Sequence, residues 1–296
     1  MTLKKIPLVS ICIPTYNGNE FIAEALKSAL AQTYNNTEII ISDDKSSDGT
    51  LATVKKILKN TNIPHKIIEH EPSGIGANWN NCVKNSNGEY IKFLFQDDTL
   101  EPECIEKMIK LAEMDKNIGL VFSKRNFIYK NKTDDFDNWI DEYSNLHIHW
   151  NNLKEVNSGK KMLRNCPNLL NEPKNKVSEP PAVLLRKNIF FKTGYFNENL
   201  KQALDYEFWY RVFKHYKIGF IDEYLANFRL HQKQTTQKNK GDNSDFSVFT
   251  KLLYKNLFWQ LHPKVKKHLL VNYNPLFKRL NKIYNYFRNK IFKRQQ

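Results

Sequence analysis

From Phe246 to the C-terminus the chain carries no aspartate or glutamate, while twelve lysines and arginines fall in that stretch and supply most of a formal net charge of +15. The rest of the chain is close to charge balance, so the basic excess belongs to one tail and not to the whole surface. No run of about 18 uncharged apolar residues occurs, so no membrane-crossing helix is expected. Cysteines are few, and Cys12, Cys82, Cys104 and Cys166 form no C-x-x-C pair and no zinc-ligand spacing. They read as buried free thiols of a reducing compartment. Near the N-terminus Pro7, Pro14 and Asn17 interrupt the apolar run before a secretory core could form. A cytoplasmic location is therefore expected.

An apolar fraction of 41% over 296 residues is ample for a buried core. Through residue 123 strand-like and helix-like segments alternate, the pattern of a mostly parallel sheet flanked by helices. "LVSICIP" is followed by "NEFIAEALKSALAQT", which repeats apolar residues at helical spacing, and "TEIIISDD" is followed by "SSDGTLATVKKILKN", where Ser47 or Asp48 can cap a helix. "HKIIEHE", "EYIKFLFQDD" and "IGLVFS" read as three further strands. Residues 124–177 are polar and irregular, and His147 and His149 would share one face of a strand there, with no further metal ligand evident. "LDYEFWYRVFKHY" then reads as an amphipathic helix.

Strands end in polar side chains three times: at "PTYNG", at Asp43 and Asp44, and at Asp97 and Asp98. In open α/β sheets ligands sit beyond the carboxyl ends of the strands, so these ends point to one site. Two adjacent carboxylates repel each other, and a cation, hydrogen-bond donors or water must offset that.

Together "VSICIPTYNGNEFIAEALKSALAQTY", "EIIISDDKSSDGT", "GEYIKFLFQDD" and "LDYEFWYR" resemble the inverting family 2 glycosyltransferases of GT-A fold, in order and at the spacing of that family over residues 8–231. The resemblance implies an α/β, Rossmann-like sheet and a nucleotide-diphosphate sugar as donor, with a UDP-sugar favoured. It assigns Pro14, Thr15 and Tyr16 to the nucleobase pocket, where Asp44, an acceptor only, takes the imide N–H of uracil or thymine, and it implies Asn17 among the donor-binding residues. Gly74, Asn78, Asn80, Gln96 and Asp97 are implied on the donor side, with Trp79 where relatives often carry arginine. "QDD" resembles the D-x-D-type motif, which makes Asp98 the ligand of Mg²⁺ or Mn²⁺, with Asp97 and His231 as further candidates. Inversion is a single displacement that needs one general base. Asp205 matches that position, although Leu204 stands where an acid is common, and Glu207 is the competing candidate. Gln232 to Thr236 is expected to close over the donor.

The catalytic domain is accordingly placed at residues 1–235 and a basic, largely helical extension at 236–296. In the extension Leu276, Phe277, Leu280, Ile283, Tyr284, Phe287 and Ile291 recur at helical spacing among cations. Such a helix suits either an anionic membrane surface or packing on the domain. The expected partners are a nucleotide-sugar donor, a glycan or lipid-linked acceptor in cell-surface glycan synthesis, and the cytoplasmic membrane face. Nucleic acid is not expected, because no recognition helix or stacking platform accompanies the basic tail. A fold that binds nucleotide sugar without turning it over is the remaining alternative.

Overall fold

The structure is a computed structural model and describes residues 6–130, 134–232, 234 and 244–292. Its first elements are β1 (Val9–Thr15), α1 (Ile22–Leu30), β2 (Thr37–Asp43), α2 (Thr50–Leu58), β3 (His65–Glu69), α3 (Ile75–Asn85) and β4 (Tyr90–Phe93). Every residue of β1 and β2 is buried. That is the demand of a run such as VSICIPT, which is apolar on both faces and fits a strand covered from both sides. Val9, Ile11 and Ile13 of β1 join Leu26, Val54 and Met108 in one core, while Cys12 joins Val83 and Phe208 in the other.

β3, β2, β1 and β4 lie side by side in that order, all parallel. The chain builds outward from β1 to β3 and then returns to the other side of β1 as β4, so the strand order reverses between β1 and β4. At such a reversal the connections leave to opposite faces and open a crevice at the strand ends.

The chain continues through β5 (Thr99–Leu100), α4 (Cys104–Ala112), β6 (Ile118–Ile128), α5 (Asp134–Tyr143), β7 (Val156–Ser158), α6 (Gly159–Arg164), β8 (Val183–Arg186), α7 (Ile189–Thr193), α8 (Leu204–Phe213) and β9 (Lys217–Arg229). The result is a nine-stranded sheet in which β8 inserts antiparallel between β4 and β6, and β6 runs parallel to β9. Residues 124–177 are more regular than their composition suggests. The polar half of β6 is held by its ladder with β9 as far as Ile128↔Arg229, a support that no periodicity in β6 reveals. His147 and His149 lie on a 3₁₀ turn and not on a strand, with the His147 ring stacked on Phe220 at 5.5 Å.

Three helices follow: α9 (Ser244–Asn256), α10 (Pro263–Tyr273) and α11 (Pro275–Phe292). α10 opens with Pro263 in its first turn, and His262 Nδ1 accepts the Lys264 N–H at 3.1 Å. Phe249, Leu253, Val265 and Leu269 are buried in the same core as Phe208, Trp209 and Phe213 of α8. α9 and α10 are thus continuous with the core of the sheet domain. α11 packs on α10 and leaves Leu276, Leu280 and Tyr284 exposed at 73%, 59% and 59%. Among the described residues no helix is long and apolar enough to cross a membrane.

Glu38 of β2 is buried and accepts hydrogen bonds from Ser10 Oγ (2.5 Å), Asn87 N (2.5 Å), Asn87 Nδ2 (3.0 Å) and Gly88 N (3.2 Å). Burial pushes its carboxyl up, but these donors outweigh it and hold the group below its ordinary value. A depressed folded-state value stabilises the fold above the unfolded carboxylate range and is lost as pH falls through the folded value. Glu38→Gln is expected to lower stability by about 1–3 kcal/mol at neutral pH. In urea denaturation the deficit shrinks on acidification below about pH 4; a deficit independent of pH refutes the assignment.

Candidate active site

Side chains at the strand ends organise the loops before any ligand is considered. Asp43, fully buried, accepts from Thr15 Oγ1 (2.6 Å), Ser46 N (2.7 Å) and Ser46 Oγ (2.7 Å), which ties the end of β1 to the turn after β2. Asn17, at φ 49°, donates its N–H to Ser46 Oγ (2.8 Å) and accepts the Ser47 N–H on Oδ1 (2.9 Å). Asp48 accepts the Thr50 N–H at 3.1 Å from the turn before α2, but the N-cap position belongs to Gly49 and to neither Ser47 nor Asp48. Gln96 brackets the backbone of Tyr16, accepting its N–H at 2.9 Å and donating to its carbonyl at 3.0 Å. The Tyr16 ring is left 54% exposed at the mouth of the crevice, beside the buried Pro14.

Asp44 follows Asp43, and its backbone N–H is held by the Thr15 carbonyl at 3.0 Å. Its Oδ1 is buried and makes no hydrogen bond within the chain. His70 Nδ1 lies 3.3 Å from that oxygen. Asn81 Nδ2 donates to Ser42 Oγ (2.8 Å), so the serine hydrogen is free to bond His70 Nε2 (3.0 Å). That leaves the Nδ1–H facing the Glu71 carbonyl and Asp44. Burial raises the Asp44 carboxyl, opposed by His70.

Across the crevice Asn78 Nδ2 donates to the Thr15 carbonyl at 3.2 Å, while its Oδ1 is buried without a partner. Asn80 differs. Its amide is fully engaged with the 196–198 turn, through the Phe196 carbonyl (3.0 Å), Glu198 Oε1 (2.8 Å) and the Phe196 N–H (3.0 Å), so its expected donor contact gives way to a structural one. Trp79 packs with Phe95 (5.0 Å) and Phe196 (5.2 Å) in an aromatic cluster, which is what occupies the arginine position of relatives. Gly74 takes φ 92°, a conformation that favours glycine, and opens α3.

Beyond β4, Asp98 Oδ1 accepts the Arg229 N–H at 2.9 Å, and its Oδ2 is buried without a partner. Burial, then the charge of Asp97, pushes the Asp98 carboxyl well above the ordinary range. Asp97 Oδ2 meets His231 Nε2 at 3.0 Å, and its carbonyl accepts from Arg229 Nε at 2.7 Å. Arg229 also pairs with Glu24 at 2.6 Å and lies over the Phe21 ring. Among the described residues no three His, Cys, Asp or Glu side chains gather to enclose a cation. Of Gln232 to Thr236, residues 233, 235 and 236 lie outside the described residues.

Asp205 sits in the first turn of α8. Oδ1 accepts the Tyr206 N–H and Oδ2 accepts Asn175 Nδ2, both at 2.7 Å. Burial raises the carboxyl to about 8 against those hydrogen bonds, with the charge of Glu179 adding to the rise. Leu204 turns the other way and packs on Gly76 of α3, where an added Cβ would meet its Cδ2 at 2.8 Å. Glu207 is buried and paired through both oxygens with Arg211 (2.8 and 2.9 Å). The turn before α8 is held from α9: Asp245 Oδ2 accepts the N–H groups of Lys201 (2.8 Å), Gln202 (2.6 Å) and Ala203 (2.9 Å).

Glu179 was not marked by the sequence. Its charge raises both Asp98 and Asp205, and it is held by the buried Arg125, whose NH2 also donates to the Tyr143 carbonyl at 3.1 Å. The available signal was its place before β8, whose start at Val183 lies beside the end of β4 through the Lys92↔Leu184 register.

The architecture is GT-A. The fold is similar to S. aureus TarS 1–349 in complex with UDP-GlcNAc, with TM-score 0.66 and 20% identity over 90% of this chain and 71% of that one. It is also similar to a mannosyltransferase from Pyrobaculum calidifontis in complex with GDP-Man and Mn²⁺, with TM-score 0.57 and 15% identity over 96% and 81% of the two chains. The protein belongs to the family named Glycosyl transferase family 2, whose profile matches residues 10–168, more than half of the chain. An uncharacterized glycosyltransferase of Rickettsia prowazekii is 33% identical over 242 residues, 78% of this chain and 66% of that protein. The chain spans 37% of the length of two other rickettsial relatives.

A Cβ on Gly18 would lie 2.2 Å from Gln96 Oε1 and force that side chain away from Tyr16. Gly18→Ala is therefore expected to fold but to weaken nucleotide binding about tenfold, roughly 1.4 kcal/mol, in calorimetric titration with UDP. Unchanged affinity would show that the Gln96 bracket does not shape the base pocket.

Proposed function

We propose that the protein is an inverting, metal-dependent glycosyltransferase that moves a sugar from a UDP-sugar to an acceptor hydroxyl in cell-surface glycan synthesis. The observation that carries this is a set of buried acceptor atoms at one rim, Asp44 Oδ1, Asn78 Oδ1 and Asp98 Oδ2, that accept no hydrogen bond within the chain, with only the His70 ring near Asp44, at 3.3 Å. Buried acceptors are normally paired, so these three call for donors from outside. A UDP-sugar brings the uracil imide N–H to Asp44 and hydroxyl hydrogens to Asn78, and its diphosphate arrives with a cation that suits Asp98. The UDP-GlcNAc bound to the TarS neighbour supports the donor class.

Asp98 would hold a hard divalent cation on its free, buried oxygen, together with the donor's own phosphates, while Asp97 and His231 are engaged with each other at 3.0 Å. Bound Mg²⁺ or Mn²⁺ would supply positive charge to the diphosphate. In the transfer the acceptor oxygen forms a bond to the anomeric carbon as the bond from that carbon to the β-phosphate oxygen breaks. The bonding electron pair leaves with UDP, the hydroxyl proton passes to Asp205, and the configuration inverts. Asp205 is protonated in much of the ligand-free protein at neutral pH, so kcat/KM should rise with pH toward its value of about 8.

For the acceptor side, α11 offers exposed Leu276, Leu280 and Tyr284 with exposed Lys278, Arg279 and Lys282 on the same helix. That chemistry fits an anionic membrane face, where lipid-linked or glycan acceptors are held, and a peripheral cytoplasmic location.

UDP is expected to raise Tm in the presence of Mn²⁺, and Asp98→Ala to abolish the metal-dependent part. Asp205→Asn should keep donor affinity and lose about 10²-fold or more in turnover. Binding with no turnover in the wild type would favour a nucleotide-sugar-binding role. Removing residues 274–296 should release the protein from phosphatidylserine vesicles while leaving nucleotide binding intact; vesicle binding that survives the deletion rejects the membrane role.

A further inference from the structure

On the assignment of Asp205 as base, we propose that Asn175 is its positioning residue, fixing the carboxylate through one amide N–H and leaving its remaining lone pairs for the acceptor hydroxyl. The orientation of the Asn175 amide is determined by its partners. Oδ1 accepts the Val177 N–H at 3.0 Å, so Nδ2 must face Asp205 Oδ2 (2.7 Å) and the Ser178 carbonyl (3.0 Å). All three contacts lie within hydrogen-bond range, and an amide flip would set like groups against each other at every one.

The segment that carries Asn175 is itself fixed. Alternate carbonyls are caught by aromatic donors: Lys174 by Tyr210 OH (2.5 Å), Lys176 by Trp150 Nε1 (2.6 Å) and Ser178 by Trp209 Nε1 (3.0 Å). The fully buried Lys176 adds bonds from Nζ to the carbonyls of Asn171 (3.1 Å) and Pro173 (2.6 Å). Tyr210 and Trp209 belong to α8, the helix that bears Asp205. Base and positioning amide are therefore locked to one helix, the preorganisation that proton transfer at a fixed atom requires.

The charged and titratable groups that act on Asp205 are Glu179 before β8 and Tyr206 and Tyr210 on α8, and Tyr206 in turn lies within the fields of Glu172, Tyr143 from α5 and Asp245 from α9. Burial and then the charge of Glu179 favour the protonated carboxyl, and the Tyr206 N–H and the Asn175 N–H oppose them.

The test is ¹³C NMR of the aspartate-labelled full chain, with the Asp205 carboxyl identified by its loss in Asp205→Asn. Its titration midpoint should lie near 8 in the wild type. Asn175→Ala and Asn175→Asp are each expected to raise it by about one unit, a tenfold change in the equilibrium. The Asp variant keeps an acceptor for the Val177 N–H and so guards against collapse of the segment. With UDP-GlcNAc as probe donor, kcat/KM at neutral pH should fall about tenfold in both variants and recover toward the wild-type value above about pH 9, with the donor KM nearly unchanged. Wild-type turnover together with an unmoved midpoint in both folded variants overturns the positioning role alone. A shifted midpoint in a protein that turns over no donor overturns the transferase assignment instead.

Discussion

The site depends on the polarity of one strand. β8 enters the sheet antiparallel, between the parallel block that ends in β4 and the later pair formed by β6 and β9. A strand inserted in this sense begins where its parallel neighbours finish. Its leading residues, Glu179 above all, therefore arrive at the rim already occupied by the ends of β1, β2 and β4. Residues far apart in the chain are brought to one crevice by strand polarity, and the charge of Glu179 is felt by the carboxyls on both sides of it.

The rim divides its polar groups between two tasks. Asp43, Asn17, Gln96 and Asn80 are bonded to backbone or neighbouring side chains and shape the loops. Asp44, Asn78 and Asp98 each keep one buried oxygen that accepts no hydrogen bond within the chain, with the His70 ring 3.3 Å from that of Asp44. Desolvation of an acceptor is unfavourable unless a donor reaches it, so the ligand-free fold carries a tension that a suitable ligand relieves. This is a physical basis for binding that does not require the loops to move.

Much of this was legible in the sequence because it is local. The strand ends at PTYNG, Asp43–Asp44 and Asp97–Asp98 are marked by abrupt changes from β-rich apolar runs to polar residues, and α8 by its aromatic periodicity. What could not be read depends on contacts between distant residues. Asn80 and Asn78 are two residues apart on α3, yet one faces the 196–198 turn and the other the end of β1, a choice made by tertiary packing. Glu179, Arg125 and Asn175 sit in stretches with no periodic signal, and each acquires its role from a partner brought to it by the fold. The regularity of β6 beyond Ser123 likewise comes from its ladder with β9 and not from its own composition.

The family profile ends at residue 168, before Asp205 and well before Asp245. Three N–H groups of the turn leading into α8 converge on one oxygen of Asp245, a residue of the helix that opens the C-terminal region. The residues proposed to receive the donor and the residue that holds the turn before Asp205 are thus far apart in the chain. Exchange of C-terminal segments between relatives would carry the support of this turn along with it, and grafts that break before α9 would inherit the strand-end rim while the proposed base, Asp205, lost its footing.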